Sequence, residues 1–448
     1  MTSNFKKVHF IAIGGSAMHQ LAIEMHLNGY EVSGSDDEIY EPAKSALMAC
    51  GIYPNSIGWD ERRVHQNLDL VILGMHAKKD NPELKKAHAL GLRVMSYPEF
   101  IYQHAVNKKR IVVAGSHGKT TTTSILMHVF KSLNIDFDYL VGAQVDGFDR
   151  NVRLSNSGIV LIEGDEYLSS PEDSRSKFLH YRPHLSVITG IAWDHINVFT
   201  TFEQYLDTFK NFLETHDPNG VCYYFKGDDN LQRLACENFR VRMLPYGSLT
   251  GFKDGFIYFE GNAYPFPLIG QHNLQNAGGA WCICQGLGLS FSDFLTALSA
   301  FRGAKKRLQL LAEVGNAKIF LDFAHAPSKV KATIGAVKEW YPSTQLIAIL
   351  ELHTFSSLNR NFIPLYKDTL KDADKAIVFV NEHTLRMKGM PDLTVRFIKE
   401  SFNFPELKVL FNVRELKESL MEITGGTQNF LFMSSGNFGG LDILECFK

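Results

Sequence analysis

Short apolar runs alternate with amphipathic stretches along the whole chain. "KVHFIAIGG" is apolar and closes on glycine, "SAMHQLAIEMHLNGY" has helical spacing, and "EVSGSD" is again short and β-rich. "LDLVILGMH" predicts another strand. "NPELKKAHALG" predicts a helix with Pro82 in its first turn and Gly91 at its end. "RIVVAG", "GIVLIEGDE" and "HLSVITGIAWDH" predict strands in the middle of the chain, and "KIFLDFAH", "QLIAILELH", "KAIVFVNEH" and "NFLFMSSG" do so in the last third. Between these groups, the glycine- and aromatic-rich "YGSLTGFKDGFIYFEGNAYPFPLIG" predicts antiparallel hairpins, and "NLQNAGGAWCICQGLGL" a helix. Strand–helix alternation of this kind argues for α/β units built on mainly parallel sheets. Basic, polar junctions at "VNKKR" and near "FRGAKKRLQLL" divide the chain into 1–109, 110–302 and 303–448, without repeats or low-complexity tracts.

Composition narrows the function classes. The chain has 448 residues, 45% hydrophobic and 21% charged, with a formal net charge of −2, an ordinary globular balance. Near-neutrality gives no support for nucleic-acid binding, which needs a basic surface. No apolar stretch is long enough to span a bilayer, so membrane insertion is not expected. The N-terminal apolar run breaks at Gly14 and Gly15 without a cleavage pattern, so it is read as a first strand and the expected location is cytoplasmic. Six scattered cysteines, with no C-x-x-C pair, argue against a disulfide scaffold and a zinc knuckle.

The candidate chemistry begins at Gly115-Ser116-His117-Gly118-Lys119-Thr120-Thr121, a loop two residues shorter than G-x-x-x-x-G-K-[ST]. It stands between a buried strand and a helix. Backbone N–H groups at a helix start hold phosphate oxygens, Lys119 would reach the β/γ phosphates, and the Thr120 hydroxyl would bind Mg²⁺. A glycine turn capped by threonine would not explain a lysine at a helix start, where the macrodipole disfavours a cation. Acidic residues end two later strands, Glu163, Asp165 and Glu166 in "IEGDE" and Asp194 beside His195 in "AWDH". Period-two alternation would put Glu163 and Asp165 on one face, and a metal site is expected there.

"AGSHGKTTT", "EGDE", "WDH", "GQHNLQNA" (270–277), "GAKKRLQ" (303–309) and "DFAHAP" (322–327) occur in the order of the Mur ligase family, which the chain resembles over nearly its whole length. The resemblance implies an α/β fold of three domains: a Rossmann-like domain for a UDP-sugar, a central P-loop ATPase-type domain, and a Rossmann-like C-terminal domain that closes over both. It implies an ATP-dependent, ADP-forming amide ligase that makes an acyl phosphate and transfers the acyl group to an amine. Thr120 and Glu163 would ligate one Mg²⁺, and Glu163 and His195 a second. Asn273 and Asn276 match the asparagines that hold adenine, Arg307 the arginine that contacts phosphate, and Asp322 and His325 the C-terminal residues placed near the nucleotide. In the first domain, Gly14, Gly15 and Ser16 would offer N–H groups to a pyrophosphate, Asp36 would contact a ribose, and His76 lies in the compatible stretch "GMHAKKDNPEL".

The expected partners are UDP-N-acetylmuramate and an amine acceptor, in a monomer or weak homo-oligomer. "SRSKFLHYRP" (174–183) and "MSSGNFGG" (433–440) look like the ligase that adds L-alanyl-γ-D-glutamyl-meso-diaminopimelate in peptidoglycan recycling. The alternative acceptor is L-alanine, as in biosynthesis. Gly190 and Ala192 depart from the family pattern, which keeps open a nucleotide-binding protein with impaired catalysis. "LELHTF" departs from the tripeptide ligase's usual Glu-Pro-Arg run. Phe209 stands where sister ligases carry a carbamylated lysine, so that modification is not expected. A nicotinamide-dependent oxidoreductase, suggested by the first glycine turn, leaves Lys119, Glu163 and Asn273 unexplained.

Overall fold

The computed structural model describes residues 6–193, 198–423 and 428–447. Three large sheets follow one another along the chain, and each is parallel through its centre. In the first, the order is Glu31–Ser35, Lys7–Ile11, Leu70–Leu73, Val94–Ser96, parallel throughout. Leu70–Leu73 is buried at every position, as a parallel strand covered on both faces must be.

The second sheet has seven strands, in the order Arg242–Tyr246, Val221–Phe225, Leu185–Ile188, Lys109–Ala114, Ile159–Glu163, Asp138–Leu140, Val152–Arg153. Only its last pair is antiparallel. Lys109–Ala114 lies between Leu185–Ile188 and Ile159–Glu163, with Ala114 level with Ile188 and Val113 level with Glu163. Their C-terminal ends therefore meet at one edge, where parallel sheets carry ligands. The third sheet runs Gln309–Val314, Ala317–Asp322, Gln428–Met433, Gln345–Glu351, Lys375–Phe379, Lys408–Leu410, with an antiparallel first pair.

The glycine- and aromatic-rich stretch folds as a three-stranded antiparallel sheet, Phe252–Lys253, Phe256–Phe259 and Asn262–Pro265. The helix Gln271–Gly286 holds Gly278 and Gly279, residues of poor helix propensity. The backbone of Gly247 explains the first of these, because a Cβ at Gly278 would meet its carbonyl oxygen at 2.1 Å.

The N-terminal and middle sheets are joined by buried polar groups. Glu24 accepts from the Leu154 N–H at 2.8 Å and pairs with Arg150. Arg110, inside the predicted basic junction, is buried. Its guanidinium donates to the carbonyls of Val106 (2.9 Å), Ala105 (3.2 Å) and Arg182 (2.9 Å), capping the helix Tyr97–Ala105. The middle and C-terminal sheets meet through a bridge between Val145 and Ala304 and a Lys305–Gln144 hydrogen bond of 2.8 Å.

Candidate functional site

After Ala114 the chain leaves its strand through Gly115 at φ +125 and enters the helix Lys119–Ser132 from Gly118 at φ +77. Both angles lie where only glycine is unstrained. Space is equally restrictive: a Cβ at Gly118 would lie 2.1 Å from Asn276 Oδ1. The loop is pinned from the neighbouring strand end. Ser116 N–H donates to Gly190 O at 2.9 Å, and the Thr189 hydroxyl donates to the carbonyls of Ala114 and His117. The first N–H groups of the helix have no partner within it and point out of its N-terminus.

Lys119 is largely buried. Its ammonium donates to Gly115 O at 2.6 Å and Glu166 Oε2 at 2.7 Å. Burial works against its charge, but the nearby carboxylates, Glu166 first, outweigh it and raise its pKa above the ordinary value. The Thr120 hydroxyl donates to Glu163 Oε1 at 2.7 Å, and Glu163 Oε2 accepts from the Gly142 N–H at 2.7 Å. Arg307 donates to Thr120 Oγ1 at 2.8 Å, and its guanidinium lies 4.7 Å from the centre of the Phe323 ring. Burial lowers the Arg307 pKa against the attraction of Glu163 and Asp322.

Asp322 ends its strand and accepts from the Ala324 and Leu308 N–H groups at 2.6 and 2.8 Å. Burial raises its pKa despite Arg307 and His272. His325 Nδ1 lies 2.8 Å from Phe323 O, and His117 Nε2 lies 2.7 Å from Ser328 Oγ, a second link between the middle and last sheets. Asn273 and Asn276 are both buried: Asn276 donates to Asn273 Oδ1 at 3.1 Å, and Asn273 donates to Ile269 O at 2.8 Å.

These groups surround one cavity of ≈ 480 Å³, within the size range of small-molecule sites. Of the residues predicted from sequence, Ser116, His117, Gly118, Lys119, Thr120, Thr121, Glu163, Asn273, Asn276, Arg307, Asp322 and His325 line it. Gly115 sits directly behind, as the acceptor for Lys119. Asp194 and His195 lie outside the described residues.

Some expectations change. Glu163 and Asp165 do not share a face, because the strand ends at Glu163 and the alternation with it. Asp165 turns away to pair with Lys177 at 2.6 Å, and Glu166 takes Lys119 instead. Gly190 has φ +149, a conformation suited to glycine, and the next N–H, of Ile191, is held by Asp228 at 2.7 Å. Phe209 is fully buried, with edge-on contacts to Phe178 and Tyr205, in keeping with the expectation of no carbamylated lysine there. Lys210 next to it pairs with Glu237 at the surface.

His272 and Ser328 also line the cavity without having been singled out in the sequence, and Tyr205 lies behind it against Ser116 and Glu166. Tyr205 sits on an amphipathic helix, Phe202–Glu214, where spacing marks it only as core. A separate set of possible metal ligands, Glu99, Asp173 and His180, lies apart from the cavity, and Arg175 already binds both oxygens of Asp173.

In the first sheet, Gly14 N–H donates to Asp36 Oδ2 at 2.7 Å, so this N–H is already satisfied. Burial raises Asp36 to about 6. Gly15 caps the helix Ser16–Leu27, Ser16 is exposed, and His76 is exposed in the turn after Leu70–Leu73.

The family description "Mur ligase family, catalytic domain" matches residues 7–109, and "Mur ligase middle domain" matches 113–284. A UDP-N-acetylmuramate–L-alanine ligase of Carboxydothermus hydrogenoformans is 32% identical over 93% of this chain and 89% of its own length. A UDP-N-acetylmuramate–L-alanyl-γ-D-glutamyl-meso-2,6-diaminoheptandioate ligase of Haemophilus influenzae is 27% identical over 97% of each chain. A murein peptide ligase of Psychrobacter arcticus, known by crystal structure, superimposes with a TM-score of 0.70 at 23% identity over 99% of this chain and 98% of its own, which shows the shared fold.

Proposed function

The chain belongs to the Mur ligase family, as an ATP-dependent amide ligase of peptidoglycan synthesis, and on that premise we propose that it joins UDP-N-acetylmuramate to the tripeptide L-alanyl-γ-D-glutamyl-meso-diaminopimelate. One observation carries the phosphoryl-transfer part of the reading. Lys119, Thr120 and Glu163 from the middle part of the chain converge with Arg307, Asp322 and His325 from its last third on a single cavity. In this reading residues 1–109 bind the UDP-sugar, 110–302 bind ATP, and 303–448 complete the site and receive the acceptor. Ser16, Asp36 and His76 face the UDP-sugar, with the Gly14 N–H held by Asp36 and the Gly15 N–H by the Ala12 carbonyl at 3.4 Å.

The helix N-terminus and the free N–H of Lys119 take the β- and γ-phosphates, and Asn273 and Asn276 take adenine. Thr120 Oγ1 and Glu163 Oε1 are hard oxygen donors 2.7 Å apart, which suits Mg²⁺. Thr120 and Glu163 would hold such an ion, whose charge would offset that of the transferring phosphoryl group. The sugar's carboxylate oxygen attacks the γ-phosphorus, the bond to the β–γ bridging oxygen breaks, and ADP leaves. The resulting acyl phosphate is attacked by the acceptor amine, which loses a proton, and inorganic phosphate leaves. Arg307, at Thr120 and beside Glu163, is placed to hold a phosphate oxygen through both steps.

The match to the tripeptide ligase over 97% of both chains, with "SRSKFLHYRP", supports the tripeptide acceptor. The higher identity to the alanine ligase, 32%, supports L-alanine as a second reading. Phosphate release with UDP-N-acetylmuramate and ATP, measured with L-alanine, dipeptide, tripeptide and tetrapeptide, decides between them. Greatest kcat/KM with the tripeptide is expected. Preference for L-alanine replaces the first reading with the second, and no stimulation by any acceptor points to a nucleotide-binding protein with impaired catalysis.

A further inference from the structure

Tyr205 is fully buried and touches two parts of the cavity wall at once. Its hydroxyl lies 3.0 Å from Glu166 Oε1 and 2.7 Å from Ser116 Oγ. Ser116 Oγ also accepts from the Ala192 N–H at 2.9 Å. A carboxylate can only accept, so the Tyr205 proton goes to Glu166, and the Ser116 proton goes to Tyr205. The bonds then run in one direction: Ala192 N–H to Ser116, Ser116 to Tyr205, Tyr205 to Glu166. Glu166 holds Lys119 through its other oxygen at 2.7 Å.

We propose that Tyr205 is a positioning residue for phosphoryl transfer, tying the phosphate loop at Ser116 to Glu166 and so fixing where the Lys119 ammonium stands. Three geometric facts support this. Glu166 is completely buried, so its orientation is set by its protein partners. Lys119 uses two of its three N–H groups on Gly115 O and Glu166, which aims the third. Tyr205 itself is clamped by edge-on contacts with Phe199 (5.2 Å) and Phe209 (5.4 Å), so its hydroxyl has little freedom. The chain of bonds also gives Ala192 a role that depends on its backbone and not on its side chain.

The proposal rests on reading the cavity as a phosphoryl-transfer site, and its test separates the two. Tyr205→Phe keeps the ring and removes only the hydroxyl. In steady-state assays kcat is expected to fall about tenfold or more, the scale of one hydrogen bond to a charged group, with the KM for the UDP-sugar unchanged. The double variant Tyr205→Phe/Glu166→Gln should be no slower than Glu166→Gln alone, because both changes act through one carboxylate. By calorimetry, Tyr205→Phe should weaken ATP binding while leaving adenosine binding unchanged. Unchanged kcat, losses that multiply in the double variant, or equal losses for ATP and adenosine would each overturn the proposal. If the wild-type protein releases no phosphate with any acceptor, the ligase reading fails, while the ATP–adenosine comparison still decides whether Tyr205 places Lys119.

Discussion

Single residues at the loop carry the sharpest consequences. Gly118 has φ +77, and its missing Cβ leaves the space that Asn276 Oδ1 occupies. Gly118→Ala should therefore cost about 1–3 kcal/mol of stability and distort the helix entry. Chemical denaturation and nucleotide titration should show both losses together. Lys119→Ala is expected to reduce turnover by about 10²–10³-fold or more, with UDP-sugar affinity retained. It also removes the cation from the buried Glu166, at a cost of about 3 kcal/mol. Adding Glu166→Gln should restore most of that stability without restoring turnover, which a melting curve and a phosphate assay measure side by side. The strand–loop–helix geometry of these residues was legible in the sequence because Gly-Lys-Thr between a buried strand and a helix has few other uses. The partner of Lys119 was not legible: Glu163, Asp165 and Glu166 are equivalent carboxylates until the strand ends and separates them.

The helix Phe202–Glu214 shows what an element adds. Thr201 caps it, its side chain accepting from the Gln204 N–H at 3.3 Å, and its apolar face buries Tyr205, Phe209 and Phe212. Thr201→Ala should cost about 1 kcal/mol, read in urea midpoints. Just beyond the helix, His216 is buried between Phe212 O, 2.9 Å from Nδ1, and Ser186 Oγ, 2.7 Å from Nε2. Burial lowers it from 6.5 to about 4. The folded chain keeps this imidazole neutral in that window while the unfolded chain binds a proton, so the stability it contributes is full above pH 6.5 and is lost as pH falls toward 4. The loss should reach about 3 kcal/mol. His216→Gln should flatten the dependence of the urea midpoint on pH between 7.5 and 4.5. Spacing predicted the helix, but its long apolar face gave no reason to separate Tyr205 from its phenylalanine neighbours.

At the scale of the molecule, the cavity exists because two sheets meet. Arg307 reaches Thr120, and His117 meets Ser328, across that junction. ATP bound at 100 times its Kd should stabilise the protein by about 2.7 kcal/mol. Arg307→Ala should cut that thermal shift at fixed ATP concentration and slow turnover, leaving UDP-sugar binding unchanged; an undiminished shift would separate Arg307 from the nucleotide. The hydrophobic pattern identified all four central strands of the last sheet, but not its edges, Gln309–Val314 and Lys408–Leu410. Gln309–Val314 is half-exposed and Lys408–Leu410 has three residues, so neither carries a long apolar run.

The sequence by itself determined the strand–helix order, the mainly parallel sheets, the glycine turns and the ordered set of motifs. These depend on local periodicity and on residue types with few alternative uses. The tertiary structure decided which carboxylate holds Lys119, that Asp165 turns away to Lys177, that Asp36 satisfies the Gly14 N–H, and that Tyr205 joins the loop to Glu166. Each of these is a contact between residues distant in the chain. Charge and hydrogen-bonding capacity are properties of a residue, but which partner uses them is set only when packing brings donor and acceptor atoms to about 3 Å.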